Sequence, residues 1–203
     1  MKKLVMAFCL ICVPFFSAAQ PQTLLVVGDS ISAAYGIETD KGWVALLQEQ
    51  ATKQGFELMV VNSSISGDTT AGGLARLPKA LSKHKPSWVM IALGANDGLR
   101  AQSLKAMRRN LTAMIKLVKA QGAIPILLGM RLPPNYGKKY TESFFNAYQK
   151  VAQKNDTLLL PFFIKGVGGR PELNQADGIH PNEKGQPIIK DNVWKIFKPL
   201  LEQ

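Results

Sequence analysis

Thr23-Leu24-Leu25-Val26-Val27-Gly28-Asp29-Ser30 is the stretch on which the reading of this chain turns. Its first part shows no alternation of polar and apolar residues, so the strand it predicts is covered on both faces, as strands of parallel sheets are. It then breaks into a glycine, an acid and a serine, the residues of a turn. Further apolar runs at 57–62, 88–93, 124–130 and 157–160 repeat the pattern. Between them lie stretches with helical spacing. These are 42–54, which carries Trp43, Leu46 and Leu47; 69–83; 103–120, with Leu104, Met107, Leu111, Met114, Ile115 and Val118 on one face; 139–154; and 186–201.

Strand and helix in alternation imply a parallel sheet with right-handed crossovers and helices on both faces. The expected fold class is α/β: three layers, α/β/α, around a five-stranded parallel sheet in the flavodoxin-like order 2-1-3-4-5. No Ser/Gly-rich linker, repeat or low-complexity tract divides the chain, so one domain is expected over residues 20–203. Sheets of this kind hold ligands at the carboxyl ends of their strands. The chemistry is therefore to be sought after the first, second and third strands and in the last loop.

Residues 1–19 stand apart. Lys2 and Lys3 precede an apolar run from Leu4 to Phe16, and Ser17-Ala18-Ala19 supplies a small-x-small cleavage site, the layout of a secretory signal peptide. The run is short for a bilayer span. A lipoprotein signal fits poorly, because Phe8 and Ile11 stand before Cys9 and Cys12, where a small residue belongs. Cleavage after Ala19 would leave a periplasmic or secreted chain of 184 residues, remove both cysteines and lower the formal charge from +11 to +9. Thiol catalysis, disulfides and a cysteine zinc site are then excluded. Stability must come from the core alone, and a chain of this length buries about 70% of its unfolded surface. With 2 histidines in all, a base working near neutral pH has few candidates.

Three strand ends and one late loop hold the candidates. Gly28 permits a tight turn that places Ser30 where a helix begins, among free N–H groups that suit a nucleophile whose reaction develops an oxyanion. The same position suits an ordinary N-cap, and the glycine patterns of phosphate-binding loops are absent. In Ser63-Ser64-Ile65-Ser66-Gly67-Asp68-Thr69, Gly67 can bring its N–H to a ligand, or it can turn the chain before a helix capped by Asp68 or Thr69. In Gly94-Ala95-Asn96-Asp97-Gly98, the Asn96 amide can donate to an oxyanion or shape an Asx turn. In Asp177-Gly178-Ile179-His180-Pro181, an acid and a histidine three residues apart can meet on one turn. Asp177 then accepts from one ring nitrogen while the other faces Ser30; a solvated surface turn is the plainer alternative. His84, in the basic helix end Lys83-His84-Lys85-Pro86, reads as solvated.

Together and in this order, these segments resemble the blocks of the SGNH hydrolase (GDSL esterase) family: GDS at Ser30, a glycine at Gly67, GxND at 94–97 and DxxH at 177–180. The match runs over essentially the whole chain after the leader. SISGDT, LARLP, GANDGLR, RLPPNYG and DGIHPN look like segments of its bacterial envelope branch, of thioesterase I, protease I and lysophospholipase type. The resemblance implies a serine hydrolase of aryl esters, acyl-CoA thioesters and lysophospholipids, with Ser30 as nucleophile, His180 as base and Asp177 orienting the imidazole. It places the oxyanion between the Ser30 and Gly67 N–H groups and the Asn96 side chain. No metal or organic cofactor is required, and a monomer is expected. The Gly-x-Ser-x-Gly elbow of the α/β-hydrolases proper is absent. Two other readings remain open: a carbohydrate O-acetyl esterase of the same family, and a flavodoxin-like binding module without catalysis.

Leu99 after the third strand, and Leu132, Pro133, Pro134 and Tyr136 after the fourth, are candidates to line an acyl groove or simply to pack. Gly166-Val167-Gly168-Gly169 is a candidate moving loop beside the site. From Gly98 to Thr141 there are nine basic residues and no acidic one: Arg100, Lys105, Arg108, Arg109, Lys116, Lys119, Arg131, Lys138 and Lys139. A solvated helix face accounts for most of them. Transient contact with anionic lipid head groups or acyl-CoA phosphates is the sharper reading. Nucleic acid is not expected, because no recognition motif accompanies the charge.

Overall fold

The computed structural model describes residues 22–203. The expected leader and cleavage site lie outside the described residues. Strands β1 (Gln22–Gly28), β2 (Leu58–Asn62), β3 (Trp88–Ala92), β4 (Ile124–Leu128) and β5 (Leu158–Leu160) form one parallel sheet. Its order is β2-β1-β3-β4-β5, as the alternation of elements implied. Among the described residues, six α-helices connect and follow the strands: α1 (Trp43–Lys53), α2 (Thr70–His84), α3 (Ala95–Leu99), α4 (Leu104–Ala120), α5 (Lys138–Lys154) and α6 (Gln186–Leu201). α1 packs on α6, while α4 packs on both α2 and α5, giving the two helical layers of the α/β/α architecture.

Leu24, Leu25, Val26 and Val27 in β1 are fully buried, as are Val89, Met90 and Ile91 in β3 and Ile126, Leu127 and Leu128 in β4. Each such side chain contributes roughly 1.5–3 kcal/mol over leaving it in water. The edge strands differ from the expectation of cover on both faces. Met59 in β2 is 52% exposed and Leu158 in β5 is 40% exposed, because a strand at the rim has only one neighbour and incomplete helical cover. The helical spacing of α4 buries Met107, Leu111, Met114, Ile115 and Val118, and Ser103 caps it by accepting from the Ala106 N–H. Thr69 caps α2 in the same way through the Gly72 N–H.

Two local features depart from the sequence reading. The segment after β3 is a short helix, not a loop: Gly94, at φ +113°, turns the chain directly from β3 into α3. A Cβ there would lie 2.4 Å from the Tyr148 hydroxyl, so the turn needs glycine for space as well as for φ. After β1, no regular helix begins at Ser30. Residues 30–36 form successive turns with one helical bond, from Ala33 N–H to Asp29 O at 2.9 Å, and left-handed Ala34 and Gly36 end it. Gly28 is needed here for close approach rather than for a special dihedral, since a Cβ would lie 2.6 Å from Ser32 Oγ.

Candidate active site

The carboxyl ends of β1 and β3 share one cavity with the loop before α6, as the strand-end rule requires, and the segment after β2 joins them through the bond from Asn96 to Asp68. In that loop Gln175 N–H donates to His180 O at 2.8 Å and Asn174 bridges to Pro181, which closes a tight turn around Asp177 and His180. Asp177 Oδ1 accepts from the Ile179 and His180 N–H groups, both at 3.0 Å. Its Oδ2 accepts from His180 Nδ1 at 2.6 Å. A carboxylate can only accept, so the imidazole proton lies on Nδ1 and Nε2 is left to accept from the Ser30 hydroxyl, 2.9 Å away. A continuous hydroxyl–imidazole–carboxylate chain results, with the Tyr35 ring packed on the imidazole at 4.6 Å between centroids.

Two carboxyls near this chain are tuned in opposite directions. Desolvation raises the Asp177 carboxyl, but its bonds from the His180 N–H, the His180 ring and the Ile179 N–H outweigh that and hold it at about 2. Asp29, beside the serine, is 2% exposed. Burial pushes it up to about 7, against the Ile31 N–H bond and the attraction of His180.

Asn96 stands on the first turn of α3, and its Nδ2 donates to Asp68 O at 3.0 Å. One amide hydrogen is thereby fixed and the other is left for a ligand. Gly67, left-handed at φ +77°, directly precedes Asp68. Beneath them Asp97, 3% exposed, accepts from Thr70 N–H at 2.9 Å and from Thr70 Oγ at 2.5 Å, and Thr70 Oγ accepts from Asn110 Nδ2 at 3.1 Å. This buried network seats α3 on α2 and α4.

Ser30, Asn96 and His180 open onto one cavity of about 350 Å³. Leu99, Leu132, Pro133 and Pro134 line it, as anticipated. Tyr136 does not: it stands behind the wall, where its hydroxyl donates to Leu99 O at 3.1 Å. Met130, Arg131, Phe162 and Ile164 line it as well. The strand-end rule extended to β5 reaches Phe162 and Ile164, and Met130 and Arg131 directly precede the Leu132 already singled out after the fourth strand. Gly168 and Gly169 line the cavity, but the flanking backbone is held, with Asn174 Nδ2 donating to Val167 O at 2.8 Å and to Arg170 O at 2.7 Å.

The basic stretch is not one patch. Lys119 donates to the Asn155 and Asp156 carbonyls at the end of α5, and Lys138 stands 4.0 Å from Glu142. Arg100 donates to Gly67 O at 3.0 Å. Arg131 alone among the nine borders the cavity, its guanidinium 3.7 Å over the Phe145 ring.

The chain's relatives share this framework. The GDSL-like Lipase/Acylhydrolase family profile matches residues 26–188. Esterase TesA of Pseudomonas aeruginosa is 52% identical over 201 residues, covering 99% of this chain and all of that protein. Thioesterase 1/protease 1/lysophospholipase L1 of Escherichia coli K12 is 46% identical over 186 residues, 92% of this chain and 88% of that protein. A crystal structure of TesA superposes with a TM-score of 0.87 at 54% identity, over 88% of this chain and 99% of the other. The psychrotrophic esterase EstA of a Pseudoalteromonas species, inhibited by monoethylphosphonate, does so with a TM-score of 0.85 at 39% identity, over 90% and 100%. The chain belongs to the GDSL-like lipase/acylhydrolase family, the SGNH hydrolases.

Proposed function

We propose that this ester hydrolase cleaves acyl esters and thioesters, among them aryl esters, acyl-CoA thioesters and lysophospholipids, through an acyl-enzyme on Ser30. The observation that carries the proposal is the Ser30–His180–Asp177 chain opening onto an apolar cavity. Ser30 Oγ attacks the carbonyl carbon while its proton passes to His180 Nε2. The negative charge that develops on the carbonyl oxygen is met by the Ser30 and Gly67 N–H groups and the Asn96 amide. Collapse breaks the bond to the leaving group, which takes the proton from the imidazolium. A water molecule then gives a proton to His180 and attacks the acyl carbon; the bond from that carbon to Ser30 Oγ breaks, Oγ takes the proton back from the imidazolium, and the acid leaves.

The cavity wall of Leu99, Leu132, Pro133, Phe162 and Ile164 favours an apolar acyl chain over an acetyl group on a sugar. Arg131 at that wall would attract a phosphate on the alcohol or thiol half of the substrate. The leader, on this reading, delivers the enzyme to the periplasm or the medium, and the mass of the exported chain reads the cut. The deciding experiment is hydrolysis of a neutral and an anionic ester series of rising acyl length, run at two salt concentrations beside Ser30→Ala. Ser30→Ala is expected to lose on the order of 10⁶-fold in kcat and to escape labelling by a fluorophosphonate. A loss below tenfold would sink the assignment. A preference for acetyl esters would favour the carbohydrate esterase reading, and equal salt responses in the two series would remove the role of Arg131.

A further inference from the structure

Arg76 lies on α2 with its side chain 20% exposed and does not border the cavity. Its guanidinium binds three residues on two pieces of chain, the end of β1 and the segment that joins β2 to α2. Nε donates to Asp68 Oδ2 at 2.7 Å, Nη1 donates to the Ser63 carbonyl and to Ser63 Oγ, and Nη2 donates to Gly28 O at 3.2 Å. Gly28 stands two residues before Ser30, at the end of β1. Ser63 directly follows β2. Asp68 follows Gly67 and offers Asn96 the carbonyl that orients its amide. Each donor assigned to the oxyanion therefore sits within two residues of an atom that Arg76 holds, or is bonded to the backbone of a residue it holds.

We propose that Arg76 is the positioning residue of the oxyanion hole, a single planar cation that sets the spacing of the Ser30, Gly67 and Asn96 donors without touching substrate. The inference rests on the oxyanion-hole reading above. A guanidinium spreads its donors over three nitrogens in one rigid planar fork; a lysine ammonium also has three donors, but all on one nitrogen at the end of a flexible stem, so it does not reproduce that spread. The packing agrees with this purpose. A Cβ on Gly72 would lie 2.0 Å from Asp68 Oδ1, so α2 gives up a side chain at that position to let the Asp68 carboxylate reach Arg76 and the Thr69 N–H. Donors misplaced by even an ångström weaken transition-state binding more than ground-state binding.

The test is a double-mutant cycle on a neutral aryl ester. Arg76→Met is expected to lower kcat about 10–100-fold with KM changed by less than about twofold, and Arg76→Lys to fall between it and the parent. Asn96→Ala alone is expected to cost roughly 10²–10³-fold. On the Asn96→Ala background, Arg76→Met is expected to cost clearly less than it does alone, because one of the three donors it positions is gone. Multiplying losses, an unchanged kcat or a loss confined to KM would each overturn the inference while leaving the oxyanion hole in place. A loss below tenfold in Asn96→Ala would overturn the oxyanion-hole reading itself, and the inference with it. Thermal melts accompany each variant; if Arg76→Met does not fold, the same cycle with Arg76→Lys decides by the same criteria.

Discussion

On the proposed oxyanion side of the site, the network beneath Asn96 is buried and joins elements distant in the chain; on the proposed base side, the bonds within the Asp177–His180 turn are more exposed and mostly local. Thr70, Asp97 and Asn110 are 0%, 3% and 9% exposed. The Asp177 and His180 side chains are 39% and 18% exposed, and three of their bonds close within three residues of one another. Buried polar groups that lose a partner incur a desolvation cost that exposed ones escape. The proposed oxyanion side should thus couple activity to folding more strongly than the proposed base side does.

His180→Ala tests the base side and carries the largest expected effect. It should lower kcat on the order of 10⁶-fold while stability moves within about 1 kcal/mol, since the ring is partly exposed and its loss leaves no buried charge behind. Urea titration beside steady-state rates reads both. A large fall in stability, or a rate within tenfold of the parent, would break the contrast.

Thr70→Val tests the oxyanion side. The change keeps the shape of a fully buried side chain but removes the hydroxyl that donates to Asp97 Oδ1 and accepts from Asn110 Nδ2. Two buried groups lose a partner, at a cost of about 2–3 kcal/mol, or about 5–10 °C in Tm for a chain of this size. The rate should fall far less than in His180→Ala. An unchanged Tm in differential scanning calorimetry would show that the network does not bear on stability.

The same contrast explains what could be read in the sequence. Asp177 and His180 were legible because the turn that joins them is local, and Ser30 because an apolar run points straight at it. The central strands and α4 were legible because their burial follows their period. α3 was not, because five residues following a left-handed glycine show no helical period. Nor was the network under Asn96, where Thr70 meets Asp97 across 27 residues and Asn110 across 40, or the hold of Arg76 on Gly28 across 48. Such pairs are set by which helix lies against which strand end, and side-chain periodicity is blind to them.

Asp29 and Asp177 give the comparison its most specific test, because the two carboxyls should leave opposite marks on stability against pH. Asp177 is held at about 2, below its ordinary 3.8, so its contribution is present above pH 3.8 and is lost as pH falls toward 2. Asp29 runs the other way. Unfolded, it loses its proton near 3.8; folded, it keeps it to about 7. Between those values the folded state binds more protons than the unfolded one, so stability falls as pH rises, and the cost is complete above pH 7. Asn at this position keeps an oxygen for the Ile31 N–H, which Asp29 Oδ1 now accepts at 3.2 Å, and cannot ionise. Asp29→Asn should therefore lie within about 1 kcal/mol of the parent near pH 4 and exceed it at pH 8 by on the order of 4 kcal/mol, the free-energy equivalent of the shift. Urea unfolding at the two pH values measures this directly. A difference between variant and parent that stays constant from pH 4 to pH 8 would mean that Asp29 is ionised in the folded protein throughout, with burial offset by a partner other than the Ile31 N–H.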